Sequence, residues 1–171
     1  MPHSDTRFDG ILTAIVRAKA DGLLLRILDI GVGAGKTSRL LRPYASRLIG
    51  VEAYAPYVDR FGLRQLYDEL MLMHVALVDP EEFARFHIAV IGDTLEHLSI
   101  VTAQNLLANL ASFGVLTFVQ VPFLYEQGAL EGNMFEMHLQ PDLTRDVMRE
   151  RYPTLTEIHA DDRLGLYAQY P

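Results

Sequence analysis

Cysteine is absent from this sequence of 171 residues. Without a thiol, the chain can form no disulfide and no zinc site that is built on thiolates. Disulfides persist mainly in oxidising compartments, and their absence is typical of proteins that stay inside the cell. We therefore expect a cytoplasmic protein.

A long apolar run is also absent. The longest one, residues 22–35, is interrupted by Arg26 and Asp29, whereas a membrane-spanning helix needs about 20 apolar residues. Residues 1–10 mix charged and polar side chains and lack the apolar core of a signal peptide. We expect neither a signal peptide nor a membrane partner.

Basic residues are in the minority, with 15 Lys and Arg against 22 Asp and Glu, and the net charge is −7. An acidic chain is not attracted electrostatically to nucleic acid, so we expect no nucleic-acid partner. Half of the residues are hydrophobic, and no linker rich in Pro, Gly or Ser divides the chain. The sequence therefore predicts one domain over residues 1–171, without indicating an oligomeric state.

Predicted strands and helices alternate along most of the chain. The spacing of apolar residues predicts helices at 7–20, 36–42, 56–70 and 99–111, a helical turn at 80–85, and strands at 23–30, 47–51, 71–78, 88–91 and 115–121. The helix over 56–70 has a possible break at Gly62, and Ser99 can cap the helix that ends at 111. Such alternation is typical of a parallel α/β sheet. Eight residues of the strands should be buried: Leu28, Ile30, Ile49, Val51, Val90, Leu116, Phe118 and Val119.

The C-terminal part of the chain has a different pattern. A helix is predicted at 141–152, and two strands follow at 155–159 and 164–170. The short polar connection between these strands favours an antiparallel hairpin at the edge of the sheet.

A glycine-rich turn follows the first predicted strand. Gly31 can adopt the positive φ of a tight turn, Gly33 leaves room for a ligand against the backbone, and Gly35 permits close packing of a helix on a strand. The following helix begins with free N–H groups that can bind a ligand.

Two common nucleotide-binding patterns fit this turn incompletely. A dinucleotide fingerprint, G-x-G-x-x-G, requires a glycine at position 36, which is Lys36. A phosphate-binding loop, G-x-x-x-x-G-K-[ST], requires its first glycine at position 30, which is Ile30. The pattern that fits is D-x-G-x-G-x-G, which begins at Asp29.

With this pattern the chain resembles the class I S-adenosylmethionine-dependent methyltransferases, whose first motif is similar to residues 29–35. The resemblance implies a Rossmann-like three-layer α/β sandwich, with a mostly parallel seven-stranded sheet and an antiparallel last strand. It also implies that S-adenosylmethionine is the cofactor, and that Asp29, Gly31, Gly33 and Gly35 help to bind it.

Three further acidic residues follow predicted strands. Glu52 lies 21 residues after Gly31, and a carboxylate at this spacing can accept hydrogen bonds from both ribose hydroxyls. The resemblance assigns Asp79 to the adenine amine, although 75–76 is an alternative position and Asp79 also suits the start of a helix. Asp93 begins a D-x-L-E-H-L-like segment and is expected near the methionine part of the cofactor or the acceptor.

Two histidines are candidates for catalysis, because an imidazole can take a proton from an acceptor near neutral pH. His97 lies in the segment after the fourth strand, where an ordinary hydrogen-bonded loop histidine is the alternative. His138 lies in residues 122–141, an irregular stretch long enough to act as a lid or binding loop. Glu136 and His138 alone do not make a metal site, so none is predicted.

The predicted function is transfer of a methyl group from S-adenosylmethionine to a small or medium-sized polar acceptor. Two other functions remain open. The first is a cofactor-binding module or a non-catalytic subunit. A nicotinamide-dependent oxidoreductase has the same fold class, although Lys36 at the place of the third fingerprint glycine disfavours it.

Overall fold

The structure is a computed structural model that describes residues 6–171. Its helices are α1 (Asp9–Ala20), α2 (Lys36–Leu41), α3 (Pro56–Arg60), α4 (Ile100–Ser112) and α5 (Arg145–Arg151). Its strands are β1 (Leu25–Ile30), β2 (Ala45–Glu52), β3 (Glu69–Leu72), β4 (Ile88–Gly92), β5 (Leu116–Pro122), β6 (Thr156–Ala160) and β7 (Leu164–Gln169). Short 3₁₀ helices lie at Arg42–Tyr44, Leu63–Gln65, Val75–Leu77, Pro80–Arg85, Leu95–His97 and Met134–Glu136.

The seven strands form one sheet in the order β3-β2-β1-β4-β5-β7-β6. Strands β1 to β5 are parallel, and β7 runs antiparallel to both β5 and β6. The predicted seven-stranded sheet with an antiparallel last strand is therefore confirmed. So is the C-terminal hairpin, although its second strand is inserted between β5 and the edge strand β6.

Two apolar layers cover the sheet because alternate residues of each strand face opposite sides. In β1, Leu28 and Ile30 pack on the side of α4 and α5, whereas Ile27 packs on the side of α1 and α3. All eight residues predicted to be buried are buried. Helices on both faces complete the three-layer sandwich.

Three predicted elements differ in their boundaries. The helix predicted over 56–70 ends at Arg60, close to its possible break at Gly62, which adopts a φ of 63°. Strand β3 then begins at Glu69, which pairs with Ile49 of β2, so 71–78 is a strand only at its start. The last helix begins at Arg145 rather than 141, because the Thr144 side chain caps it by accepting a hydrogen bond from the Val147 N–H.

Helix α4 confirms the predicted capping residue. The Ser99 hydroxyl accepts a hydrogen bond from the Thr102 N–H at 3.1 Å, which satisfies one of the unpaired donors of the first turn. Along residues 6–171, none of the helices combines the length and the apolar character that crossing a membrane requires.

Gly50 of β2 is packed too closely for a larger residue. A Cβ atom there would lie 2.6 Å from a methyl group of Val32 and 2.8 Å from one of Leu70. We expect Gly50→Ala to lower the free energy of unfolding by about 1–3 kcal/mol through overpacking. Gly10→Ala is the matched control, because Gly10 lies in α1 with no atom within 4 Å of its added Cβ.

Urea unfolding of the two variants checks this prediction. Gly10→Ala should stabilise the protein by about 0.5–1 kcal/mol, since alanine favours the helix. A Gly50→Ala variant as stable as the original chain would contradict the packing of Val32 and Leu70 over β2.

Candidate functional site

A cavity of about 550 Å³ opens at the carboxyl ends of β1, β2, β4 and β5. This volume lies within the range of small-molecule binding sites. Six of the nine predicted site residues line it: Gly31, Gly33, Glu52, Asp93, His97 and His138. Of these, His138 lies on the irregular segment 122–141. In open α/β sheets, ligands bind beyond the carboxyl ends of the strands, at this same edge.

The glycine turn forms one wall of the cavity. Gly31 has a φ of 75°, and a Cβ there would lie 2.1 Å from the Thr94 hydroxyl, so only glycine fits. The backbone N–H groups of Gly31 and Val32 donate to the Val51 carbonyl, at 2.9 and 3.3 Å. These bonds hold the turn against the end of β2, which brings Glu52 beside it.

Glu52 is buried beneath the turn and lines the cavity. Its Oε2 accepts a hydrogen bond from the Gly33 N–H at 3.0 Å, and its Oε1 accepts one from the Tyr54 N–H at 2.8 Å. Burial raises the pKa of Glu52, and these two backbone N–H groups oppose the rise. The carboxylate is therefore fixed in one orientation, with both oxygens held by the backbone.

Asp93 follows β4 and has a φ of 49°, which turns the chain sharply at the cavity. Its N–H donates to the Gln120 carbonyl at 2.9 Å. The Gln120 side-chain amide lies 3.1 Å from each of the Asp93 carboxylate oxygens and donates to them. Gln120 of β5 thus positions the Asp93 carboxylate at the carboxyl end of β4.

Three predicted cofactor residues lie outside the cavity lining. Asp29 is buried under the turn, where its Oδ2 accepts a hydrogen bond from the Tyr67 hydroxyl at 2.5 Å. Burial raises the pKa of Asp29 to about 7, and this hydrogen bond opposes the rise. A Cβ on Gly35 would lie 2.6 Å from Leu66, so this glycine serves packing of the turn against the segment after α3.

Asp79 is the third of these residues. Its exposed side chain caps the 3₁₀ helix Pro80–Arg85 by accepting a hydrogen bond from the Glu81 N–H at 3.0 Å. The cavity is lined instead by Met73, His74 and Val75. The structure thus places the alternative position, 75–76, nearer to the cavity than Asp79.

Segment 122–141 covers one side of the cavity and is tethered at its C-terminal end. The N–H groups of Leu139 and Gln140 donate to the Glu96 carbonyl at 2.9 and 3.1 Å. The Gln140 side-chain amide donates to the carbonyls of Leu95 and Leu98, at 3.1 and 3.0 Å. These bonds bring the second half of the segment onto the turn that follows β4.

His97 and His138 meet as a consequence of this tether. Their rings lie 4.6 Å apart and nearly perpendicular. The Nδ1 atom of His97 lies 3.1 Å from the Met137 carbonyl, and that of His138 lies 2.7 Å from the Tyr125 carbonyl. A carbonyl only accepts, so each Nδ1 carries the proton, and a neutral imidazole then keeps its lone pair on Nε2. Burial lowers the pKa of both histidines, which favours this neutral form.

Two buried glutamates adjoin the histidine pair. Burial raises the pKa of Glu96 well above its usual range, and the charges of Asp93 and Glu136 act in the same direction. Glu136 accepts a hydrogen bond from the Tyr57 hydroxyl at 2.8 Å, across 79 positions of the chain. The end of the cavity beside segment 122–141 is therefore rich in carboxylates.

Tyr57 and Glu96 are the site residues that sequence reasoning missed. Tyr57 lies on α3, packs against the rings of Tyr54 and Phe61, and carries no local signal of a site. Glu96 belongs to the D-x-L-E-H-L-like segment, but only the fold shows that its side chain is buried beside His97. The roles predicted for the other site residues stay predictions.

No family model matches the sequence, and no curated protein matches it. Solved structures match its fold. One is the 1,6-didemethyltoxoflavin-N1-methyltransferase of Burkholderia thailandensis with 1,6-didemethyltoxoflavin and S-adenosylhomocysteine bound. Its TM-score is 0.62 at 17% identity, over 98% of this chain and 80% of that one.

Two other solved structures give similar values. The N-methyltransferase NodS of Bradyrhizobium japonicum WM9 has a TM-score of 0.61 at 15% identity, over 98% of this chain and 99% of that one. The magnesium protoporphyrin IX methyltransferase ChlM of Synechocystis PCC 6803, with S-adenosylmethionine bound, has a TM-score of 0.62 at 13% identity. The match covers 96% of this chain and 79% of that one. The chain therefore has the fold of the class I S-adenosylmethionine-dependent methyltransferases, as its sequence predicts.

Proposed function

We propose that this protein is an enzyme that binds S-adenosylmethionine in the cavity and transfers its methyl group to a small or medium-sized polar acceptor. The observation that carries this proposal is the convergence of the glycine turn, Glu52 and Asp93 on one cavity at the carboxyl edge of the sheet. The three solved structures described above are all methyltransferases by name, and two hold this cofactor or its demethylated product.

The residues of the turn suit the nucleoside part of the cofactor. Gly33 lines the cavity without a side chain, so a ligand can approach its backbone. Glu52 is held rigidly beside it, and each carboxylate oxygen has two lone pairs, of which the Gly33 and Tyr54 N–H groups occupy one apiece. The remaining lone pairs can accept hydrogen bonds from the two ribose hydroxyls.

The remaining part of the cavity suits the acceptor. When bound, the cofactor supplies a methyl group on a sulfonium, which is a good leaving group, so the protein mainly aligns the reactants and excludes water. Tyr125 and Phe135 line the cavity from segment 122–141 and provide apolar cover. The Nε2 lone pair of His97 or His138 can take a proton from a hydroxyl or amine acceptor.

The size of the cavity supports a small acceptor rather than a polymer. Its volume of about 550 Å³ must hold both the cofactor and the acceptor. The Burkholderia thailandensis enzyme, which holds the small molecule 1,6-didemethyltoxoflavin beside S-adenosylhomocysteine, provides a precedent on the same fold. The net charge of −7 also disfavours a nucleic-acid acceptor.

Calorimetric titration of S-adenosylhomocysteine and of NAD tests the choice of cofactor. We expect binding of S-adenosylhomocysteine alone, and a preference for NAD would favour the oxidoreductase. Incubation with methyl-labelled S-adenosylmethionine and a small-molecule extract then tests catalysis, because a product heavier by one labelled methyl group should appear. Cofactor binding without any labelled product would favour the non-catalytic module.

The first variant tests Glu52. Glu52→Gln keeps the size of the side chain but replaces one accepting oxygen by a donor and removes the charge. Hydrogen bonds to charged groups contribute about 1.5–3 kcal/mol each, so affinity for S-adenosylhomocysteine should fall at least about tenfold. Calorimetry measures the change, with Glu150→Gln on the exposed face of α5 as control. Equal affinity of both variants would remove Glu52 from the proposed ribose site.

The second variant tests the close approach at Gly33. Gly33→Ala places a methyl group on the cavity wall and should weaken binding of S-adenosylhomocysteine at least about tenfold, by steric exclusion. Gly62→Ala is the matched control, because both glycines have a positive φ, of 51° and 63°, but only Gly33 lines the cavity. Thermal unfolding of the two variants separates backbone strain from loss of binding. Normal binding by Gly33→Ala would show that this glycine serves only the turn.

A further inference from the structure

Three side chains with metal-binding atoms come together at the acceptor end of the cavity. Three atoms lie within 4.8 Å of one another: a carboxylate oxygen of Glu96 and one imidazole nitrogen each of His97 and His138. Ligands at about 2.1 Å from a tetrahedral ion lie roughly 3.4 Å apart. The three atoms are therefore at most about 1.4 Å further apart than the ligands of a filled site.

The hydrogen bonds of the two imidazoles match those of metal ligands. Each Nδ1 faces a backbone carbonyl, of Met137 in one case and Tyr125 in the other, at 3.1 and 2.7 Å. Histidines that bind metals typically donate one ring N–H to a carbonyl or carboxylate, which fixes the ring and leaves the other nitrogen to the ion. Both rings are oriented in this way before any ion binds.

Glu96 supplies an independent observation. Its side chain is 1% exposed, and its Oε2 atom has no hydrogen-bond partner among the described residues. A buried carboxylate oxygen without a partner is costly, and its presence in a folded protein points to a missing ligand. The nearby carboxylates of Asp93 and Glu136 make a neutral ligand less favourable than a cation.

From this geometry we propose that Glu96, His97 and His138 bind one divalent transition-metal ion at the acceptor end of the cavity. Imidazole nitrogens suit Zn²⁺ and its neighbours in the first transition row better than Mg²⁺ or Ca²⁺, which prefer oxygen ligands. A set of three protein ligands leaves at least one coordination position open, as in catalytic sites. His97 and His138 both line the cavity, so this position is accessible to a molecule inside it.

The ion also narrows the class of acceptor, a step that rests on the proposed function. An acceptor hydroxyl that binds to the open position loses its proton more easily, because the ion stabilises the alkoxide. The oxygen then forms the bond to the methyl carbon, the electron pair of the C–S bond goes to sulfur, and the proton goes to solvent. His97 and His138 would act as ligands in this scheme instead of bases. The acceptor would carry oxygen, not nitrogen, at the reacting position.

Metal titration tests the site directly. The full chain is dialysed against a chelator, and Zn²⁺ is then titrated by calorimetry, with Co²⁺ absorption in the visible range as a report on ligand geometry. We expect one ion per chain and a rise in melting temperature. The double variant His97→Ala, His138→Ala should lose at least about tenfold in affinity and should not be stabilised by Zn²⁺. His159→Ala, an exposed histidine outside the cavity lining, should bind like the original chain.

A further variant, Glu96→Gln, and the affinity of the variants for S-adenosylhomocysteine separate a lost metal site from a misfolded protein. Glu96→Gln preserves the buried volume and should also weaken Zn²⁺ binding, so the proposal does not depend on the double variant alone. The double variant should bind S-adenosylhomocysteine within a few-fold of the original chain. Glu52→Gln should bind S-adenosylhomocysteine at least about tenfold more weakly and keep its affinity for Zn²⁺. Absence of binding by the original chain, or equal losses in the cluster variants and His159→Ala, would overturn the metal site. If the original chain binds Zn²⁺ but does not bind S-adenosylhomocysteine, only the proposed function is overturned.

Discussion

The backbone turn between β1 and α2 is the constraint on which the site depends. In this turn Gly31, Gly33 and Gly35 all have positive φ values, which side chains rarely tolerate. The chain can therefore reverse within a few residues and still donate two backbone hydrogen bonds to the Val51 carbonyl at the end of β2. That attachment places Glu52 against Gly33 and forms the wall of the cavity at which the proposed cofactor would bind.

Gln140 fixes the other side of the cavity, which segment 122–141 forms. Its side chain is 2% exposed and donates to the carbonyls of Leu95 and Leu98, while its own oxygen accepts from the Tyr152 hydroxyl at 2.7 Å. An irregular segment gains a fixed position only where its polar groups find such partners. Through this network the core beneath α5 positions His138 against His97.

Electrostatics connects the two proposals. Glu52, Glu96 and Glu136 are all buried near the cavity, and Asp93 lies at its edge. Carboxylates removed from water are unfavourable unless hydrogen bonds or positive charges compensate for the lost hydration. Backbone N–H groups compensate at Glu52, and the Tyr57 hydroxyl contributes at Glu136. At Glu96 nothing comparable reaches Oε2 among the described residues, so this is the position at which a cation would be most stabilising.

The order of strands and helices, the glycine turn and the Ser99 cap follow from the sequence alone, because they depend on local periodicity and on residues close in the chain. Local patterns indicated a possible break at Gly62, whose positive φ follows the end of the helix, but they did not predict the pairing of Glu69 with Ile49 that starts β3. The role of Asp29 as a buried partner of Tyr67, 38 positions away, was likewise beyond such patterns. The meeting of Glu96 with His138 was decided only by the tertiary structure. Those residues are joined by hydrogen bonds between an irregular segment and the turn after β4, and the partners in such bonds leave no periodic trace in the sequence.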